Sequence, residues 1–173
     1  RNLRLALIDQ EERPDDPFVL LSLGLTHLYW EGGLPKSIEF LQQCVAKCKP
    51  GGPLRLNAYM YLGEALGNSG DRRKEEEALY QQALAEFPDD CGVLRRYGRL
   101  CDVAGRFEEA ASHYRTLLTR GKERTSAVQI RGKNVDVALR LGQIYEKLGQ
   151  RELAERVWMS YLKVNPQATA YLN

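Results

Sequence analysis

Cys44 and Cys48 stand four residues apart, one helical turn, and two thiolates at that spacing can share a metal ion. A tetrahedral site needs two more ligands, and no histidine or second cysteine pair lies near enough in sequence to supply them. Cys91 and Cys101 add no framework spacing, so all four read as reduced packing thiols. His27 and His113 are the only histidines. Neither is placed with a serine, cysteine or carboxylate in a recognisable catalytic motif. The pairs Asp15-Asp16 and Asp89-Asp90 could be mistaken for metal or acid–base carboxylates. Each follows a proline, in what reads as a turn, where an aspartate caps the next helix. Glu75, Glu76 and Glu77 read as a solvated helix face, and "GNSGDRRK" lacks the spacing of a phosphate-binding loop. The expectation is a chain with no catalytic residue, no metal and no cofactor.

The remaining chemistry is recognition by charge and shape. Arg95 and Arg99 lie one turn apart and can pair with a carboxylate or phosphate, with Arg96 and Arg140 nearby, or with internal acids such as Asp102 or Glu64. Arg115, Arg120, Lys122, Arg124, Arg131 and Lys133 form a basic strip in sequence. The net charge is only +2 and aromatics do not interleave with that strip, which argues against nucleic acid as the partner. At 43% hydrophobic and 28% charged over 173 residues, the composition is that of a folded domain with a real core. No apolar run approaches the roughly 20 residues of a membrane span, and no stretch of the sequence reads as a signal peptide. The expected setting is the cytoplasm. The chain opens at Arg1, inside what reads as a helix, as a piece of a longer protein would.

The elements that position these residues recur. Leu23-Gly24, Leu62-Gly63, Tyr97-Gly98 and Leu141-Gly142 are each followed by a turn glycine: Gly32 or Gly33, Gly70, Gly105, Gly149. After each turn comes an apolar-periodic segment, and Pro50, Pro88 and Pro166 close three of the four units. Such recurrence marks a stack of helical hairpins.

On these residues the chain resembles the tetratricopeptide repeat, a 34-residue helix–turn–helix unit. Ala138, Leu141, Gly142, Tyr145, Gly149, Ala154, Trp158, Leu162 and Pro166 fall on the family's marked positions. Leu94, Tyr97, Gly98, Gly105, Ala110, Tyr114 and Leu118 carry the third copy, and Tyr59, Leu62, Gly63, Gly70, Tyr80, Ala83 and Pro88 the second. The first copy keeps Leu20, Leu23, Gly24, Leu41 and Val45 but has Ser37 where the family prefers alanine. The resemblance implies an all-α fold: a right-handed α-solenoid of about four repeats plus an N-terminal helix, nine helices in one domain. Its parts are a leading helix over 1–13, repeats over 17–50, 56–88, 91–124 and 135–168, and a truncated tail over 169–173. The third repeat is followed by about ten extra residues within 120–136, an extended second helix, a surface loop or a partner-binding excursion. Within each hairpin, glycine costs about 1 kcal/mol relative to alanine mid-helix, a tolerable cost if it lets the second helix approach. Ala154 is expected to be the small counterpart of Gly142.

The family's first helices line a concave groove and touch ligand through fixed positions. Carried over residue by residue, these are Phe18, Leu21, Leu25, Leu28 and Tyr29; then Asn57, Met60, Glu64, Gly67 and Asn68. The third and fourth repeats give Arg95, Arg99 and Asp102, with Gly92 and Val103, and Leu139 and Gln143, with Asp136, Glu146 and Lys147; Arg140 is adjacent. The groove is then apolar at the N-terminal end, where Leu21, Leu25 and Tyr29 receive an apolar side chain or pack on the leading helix, and basic in the middle. The lysine and asparagine clamp of members that bind C-terminal carboxylates is absent, because its first positions read Leu21 and Leu25. A second resemblance covers residues 1–24, which look like the junction where some bacterial family-2-type glycosyltransferases pass into a repeat tail. The implied function is a non-catalytic scaffold binding a peptide or protein segment with acidic groups, with two alternatives: the docking or assembly tail of such a transferase, or a module that self-associates through its open ends.

Overall fold

The computed structural model describes residues 8, 10–120 and 134–164. Eight helices account for most of them: α1 (Pro17–Leu28), α2 (Leu34–Lys47), α3 (Pro53–Ser69), α4 (Arg73–Glu86), α5 (Cys91–Val103), α6 (Phe107–Arg120), α7 (Val135–Lys147) and α8 (Arg151–Val164). There is no β-strand among the described residues. The leading helix read at 1–13 falls largely outside them, although residues 10–12 are helical. The tail at 169–173, and most of the insertion with Lys122, Arg124, Arg131 and Lys133, also lie outside. The helices gather into two compact units that divide between Pro88 and Asp89. In unit 1 the hairpins α1–α2 and α3–α4 pack against each other through α2 and α3, and α1 also touches α3. In unit 2 the hairpins α5–α6 and α7–α8 join through α6 and α7.

Local chemistry sets the helix starts. Asp16 caps α1 by accepting from the Phe18 amide at 2.8 Å, and Asp90 caps α5 by accepting from Gly92 at 2.9 Å and Val93 at 3.0 Å. Both turn aspartates therefore satisfy amides that have no partner within the helix. Asp15 forms an ion pair with Lys47 at 2.8 Å. Helix α3 begins at Pro53, three residues ahead of the sequence estimate, because proline at the first helical position lacks only an N–H that would be unpaired anyway. At the first hairpin turn Gly32, not Gly33, adopts the left-handed conformation (φ +72°). Gly149 does so in the last hairpin, also at φ +72°, the region where a side chain would be strained.

The four glycines of the Leu-Gly and Tyr-Gly pairs share one packing role. A Cβ on Gly24 would meet the Leu41 side chain at 2.6 Å, and one on Gly98 would meet the Tyr114 ring at 2.6 Å. Gly63 lies under the Tyr80 ring and Gly142 under the Trp158 indole. The counterpart of Gly142 is thus the largest side chain of α8, not Ala154 as the sequence led us to expect. Ala154 is buried in its own right. The missing Cβ seats a bulky residue of the second helix, and Trp158 Nε1 donates to the Leu139 carbonyl at 3.5 Å. Ser37 is buried and donates its hydroxyl to the Gly24 carbonyl at 2.7 Å, so serine satisfies its polar atom at a position the family fills with alanine.

Candidate functional site

Side chains on neighbouring first helices meet inside each unit. In unit 1 the Tyr29 hydroxyl of α1 donates to the Glu64 carboxylate of α3 at 3.4 Å. In unit 2, Arg95 of α5 forms an ion pair with Asp136 of α7 and donates to Asn134 Oδ1 at 2.7 Å. Arg140 of α7 grips Asp102 of α5 with two nitrogens, Nη2 to Oδ1 at 2.9 Å and Nε to Oδ2. Arg140 Nη1 also donates to Gln143 at 3.1 Å. Each unit therefore presents a face built from its two first helices, and the faces differ in chemistry.

On unit 1's face, α1 contributes Phe18 (70% exposed) and half-buried Leu21 and Leu25, and Tyr29 (71% exposed) follows at its C-terminal cap. From α3 come half-buried Asn57 and Glu64 and exposed Asn68. Met60, expected on this face, is 2% exposed and belongs to the core. It has no surface to offer a ligand, because its position turns into the packing between helices. The Asn57 Oδ1 atom is buried without a hydrogen-bond partner. Trp30, next to Tyr29 in sequence, is also exposed. It lies one residue past Tyr29, the last position the repeat pattern carries over.

On unit 2's face most charges are internally compensated. Asp102 is buried, and its carboxylate hydrogen bond raises Arg140 above its ordinary pKa. Tyr114 close by is pushed up to about 12, first by burial and then by the Asp102 charge. Arg95 takes Asp136 and Asn134 as partners, neither of which is Asp102 or Glu64. Asn134 was not readable as part of this site: it stands before α7 with φ +36°, where its side chain accepts from Arg95 instead of capping the helix. Arg99 is exposed and forms no ion pair among the described residues. Leu139 is half-buried and Gln143 exposed. Lys147 is drawn over the Phe107 ring, 4.6 Å from its centroid.

The other chemically suggestive groups have structural surroundings. Cys44 and Cys48 lie with their sulfurs 3.8 Å apart, both buried. Burial, then the neighbouring Cys48, pushes the Cys44 thiol up to about 12, the reverse of an activated thiolate. Cys44 also donates to the Pro17 carbonyl at 3.2 Å. His27 stacks on Phe40 and His113 tilts against Tyr97; burial lowers the pKa of both. No group of three or more His, Cys, Asp or Glu able to hold a metal occurs among the described residues. None of the described helices is long and apolar enough to cross a membrane.

Comparison with known proteins places the fold. No curated protein matches the sequence. The crystal structure of MamA is similar at a TM-score of 0.74 with 21% identity, over 98% of this chain and 90% of that one. A tetratricopeptide repeat protein from Parabacteroides merdae gives 0.72 with 22% identity, over 88% of this chain and 55% of its own. YrrB, described as a TPR protein with an unusual peptide-binding site, gives 0.67 with 14% identity, over 95% and 76%. The tetratricopeptide repeat family model matches residues 136–168, the stretch that spans α7 and α8. The chain has the all-α fold of tetratricopeptide-repeat solenoid proteins, and its last hairpin carries that repeat's sequence signature.

Proposed function

We propose that the chain is a non-catalytic docking module that holds a segment of another protein against the faces of its first helices. The observation that carries this reading is contact between side chains of neighbouring first helices, Tyr29 with Glu64 and Arg140 with Asp102. It assembles side chains from separate repeats into one surface per unit, while the buried thiols and the half-buried histidines serve packing. The peptide-binding site named for YrrB, a protein of the same fold, supports the assignment. Arg99 is the cation on unit 2's face best placed to meet an acidic group of the bound segment. As part of a larger protein the module would act as an assembly or substrate-docking arm; the resemblance of residues 1–24 to a glycosyltransferase tail junction is what supports that context.

The test is selection of 16-residue peptides from a random phage-displayed library on the full chain. Retained clones should lose binding to Leu25→Asp or Arg99→Glu and keep binding to Arg115→Glu on α6. Clones that depend on Arg115 and ignore both first-helix substitutions would overturn the assignment. A second reading, self-association, draws on Leu153 and Met159, both exposed on α8. Light scattering that shows a monomer at millimolar concentration removes it.

A further inference from the structure

Resting on that docking role, we infer that unit 2 holds one carboxylate of the docked segment, an aspartate or glutamate side chain, between the Arg99 guanidinium and the Tyr114 hydroxyl. The notch that packs the hairpin brings these two groups together. Gly98 of α5 has no side chain, and the Tyr114 ring of α6 lies so close that a Cβ there would meet it at 2.6 Å. Arg99 is the next residue of α5. The Tyr114 side chain is buried, and the charges of Asp102, Arg140, Arg95 and Arg99 all act on its hydroxyl. A residue of the second helix therefore reaches the charged groups of the first helices, and no first-helix position of the repeat pattern discloses it.

Both groups have donors to give. The Tyr114 hydroxyl makes no hydrogen bond among the described residues, and an unused donor at a buried phenol favours a ligand that brings an acceptor. Its pKa of about 12 keeps the proton on the oxygen at neutral pH, so the group donates to an anion instead of repelling it. The arginines are unequal. Arg95 is held by Asp136 and Asn134, and Arg140 by Asp102 and Gln143. Arg99 is exposed and makes neither an ion pair nor a hydrogen bond among the described residues. The charges acting on Tyr114 are three arginines and one aspartate. With Asp136 on Arg95, one positive charge is left over, and a single carboxylate neutralises it. A phosphate monoester, at about −1.5 to −2, leaves surplus negative charge beside buried Asp102. The site therefore selects a carboxylate over a phosphate.

The experiment titrates the isotope-labelled full chain with three blocked amino acids, read by NMR at neutral pH and constant ionic strength. N-acetylglutamate amide carries one carboxylate, N-acetylglutamine amide none, and N-acetylphosphoserine amide a phosphate. The glutamate compound should move the Arg99 Nε–H and Gly98 amide signals along a saturating curve. The glutamine compound should move neither, and the phosphoserine compound should bind more weakly than the glutamate compound. Tyr114→Phe should weaken binding of the glutamate compound about fivefold. Arg99→Gln, a surface change, should abolish it, and Arg115→Gln on α6 should leave it unchanged. Absence of a saturating shift at Arg99 overturns the inference, as does equal or tighter binding of the phosphoserine compound or wild-type affinity in Tyr114→Phe. If the phage-selected peptides depend on Leu25 and Arg99 while the glutamate compound moves nothing, docking stands and this carboxylate site falls. If the glutamate compound saturates at Arg99 and the selected peptides ignore both residues, the site stands and the docking role falls.

Discussion

Units 1 and 2 are built from the same hairpin and use charge in different places. In unit 1 the principal ion pair sits away from the apolar stripe of Phe18, Leu21, Leu25 and Tyr29. Arg55 meets Glu86 and reaches the carbonyls of Val45 and Cys48, and Glu86 also accepts from Tyr59 at 2.8 Å and from the Gly51 amide at 3.2 Å. That network ties α2, the following turn, α3 and α4 together, and it leaves the first-helix face apolar. In unit 2 the ion pairs Arg95–Asp136 and Arg140–Asp102 lie between the first helices themselves. The packing device is common to both: a glycine of the first helix under a large side chain of the second. What a repeat position fixes is therefore which side chains meet; what they do when they meet is free to differ from unit to unit.

The shared device gives the largest expected effect. Gly142→Val puts branched carbon into the space held by the rigid Trp158 indole, which is also tied to Leu139. The hairpin α7–α8 should lose about 3 kcal/mol or more, seen as a fall in melting temperature by circular dichroism. Gly24→Ala in unit 1 meets Leu41 at its Cγ and one Cδ, a small aliphatic group that can shift more readily than an indole, and should cost about 1 kcal/mol. Equal losses at the two sites would mean that the identity of the covering side chain does not matter.

The second effect separates the units by charge. Glu86→Ala removes the acceptor of the Arg55, Tyr59 and Gly51 donors and should cost about 2–3 kcal/mol. The sign of its pH dependence follows from the folded carboxyl. Burial opposes the Glu86 charge, but donation from Gly51, Tyr59 and Arg55 outweighs it, and the pKa is lowered. A carboxyl held lower when folded contributes stability that is complete above its unfolded value of about 4.3 and is lost as pH falls through the folded value. Wild-type urea midpoints should therefore drop below pH 4.3 by more than those of Glu86→Gln. Identical pH profiles would remove the network from unit 1's stability.

These contrasts also show where sequence reading reaches and where it stops. The helix starts at Asp16 and Asp90, the hairpin glycines and the burial of Leu20, Leu41 and Trp158's neighbours follow from local propensity and period, and those are visible in one dimension. The counterpart of Gly142 was misjudged because small-on-small packing and small-under-large packing leave the same glycine in the sequence; only the path of α8 tells them apart. Met60 falls on a ligand-facing position by register, yet it is buried in the core. The partner of Arg95 was out of reach for another reason: Asn134 and Asp136 are about 40 residues away in sequence, and nothing in a single chain's residue types chooses between them and Asp102.

A smaller effect is expected where charge is most exposed. Asp136 is 71% exposed, and solvent screens its pair with Arg95. Asp136→Asn should change unit 2's stability by less than about 1 kcal/mol, well short of the loss at Glu86. A loss as large as that of Glu86→Ala would show that the two units depend on charge alike, and the contrast between them would be confined to the apolar stripe.

The smallest stability effect belongs to the stripe itself. Phe18 and Tyr29 bury little of their surface, so serine at both positions forfeits little apolar burial. Phenylalanine, tyrosine and serine have similar helix propensities, and the Tyr29–Glu64 hydrogen bond at 3.4 Å is long. The double variant should keep wild-type helicity and shift the urea midpoint by an amount equivalent to about 0.5 kcal/mol or less. Leu23, fully buried on the opposite side of the same helix, is the control: Leu23→Ala should cost about 2–5 kcal/mol. If the stripe variant cost as much as that, the exposed row of α1 would be serving as core, and unit 1 would have no apolar face left to offer a partner.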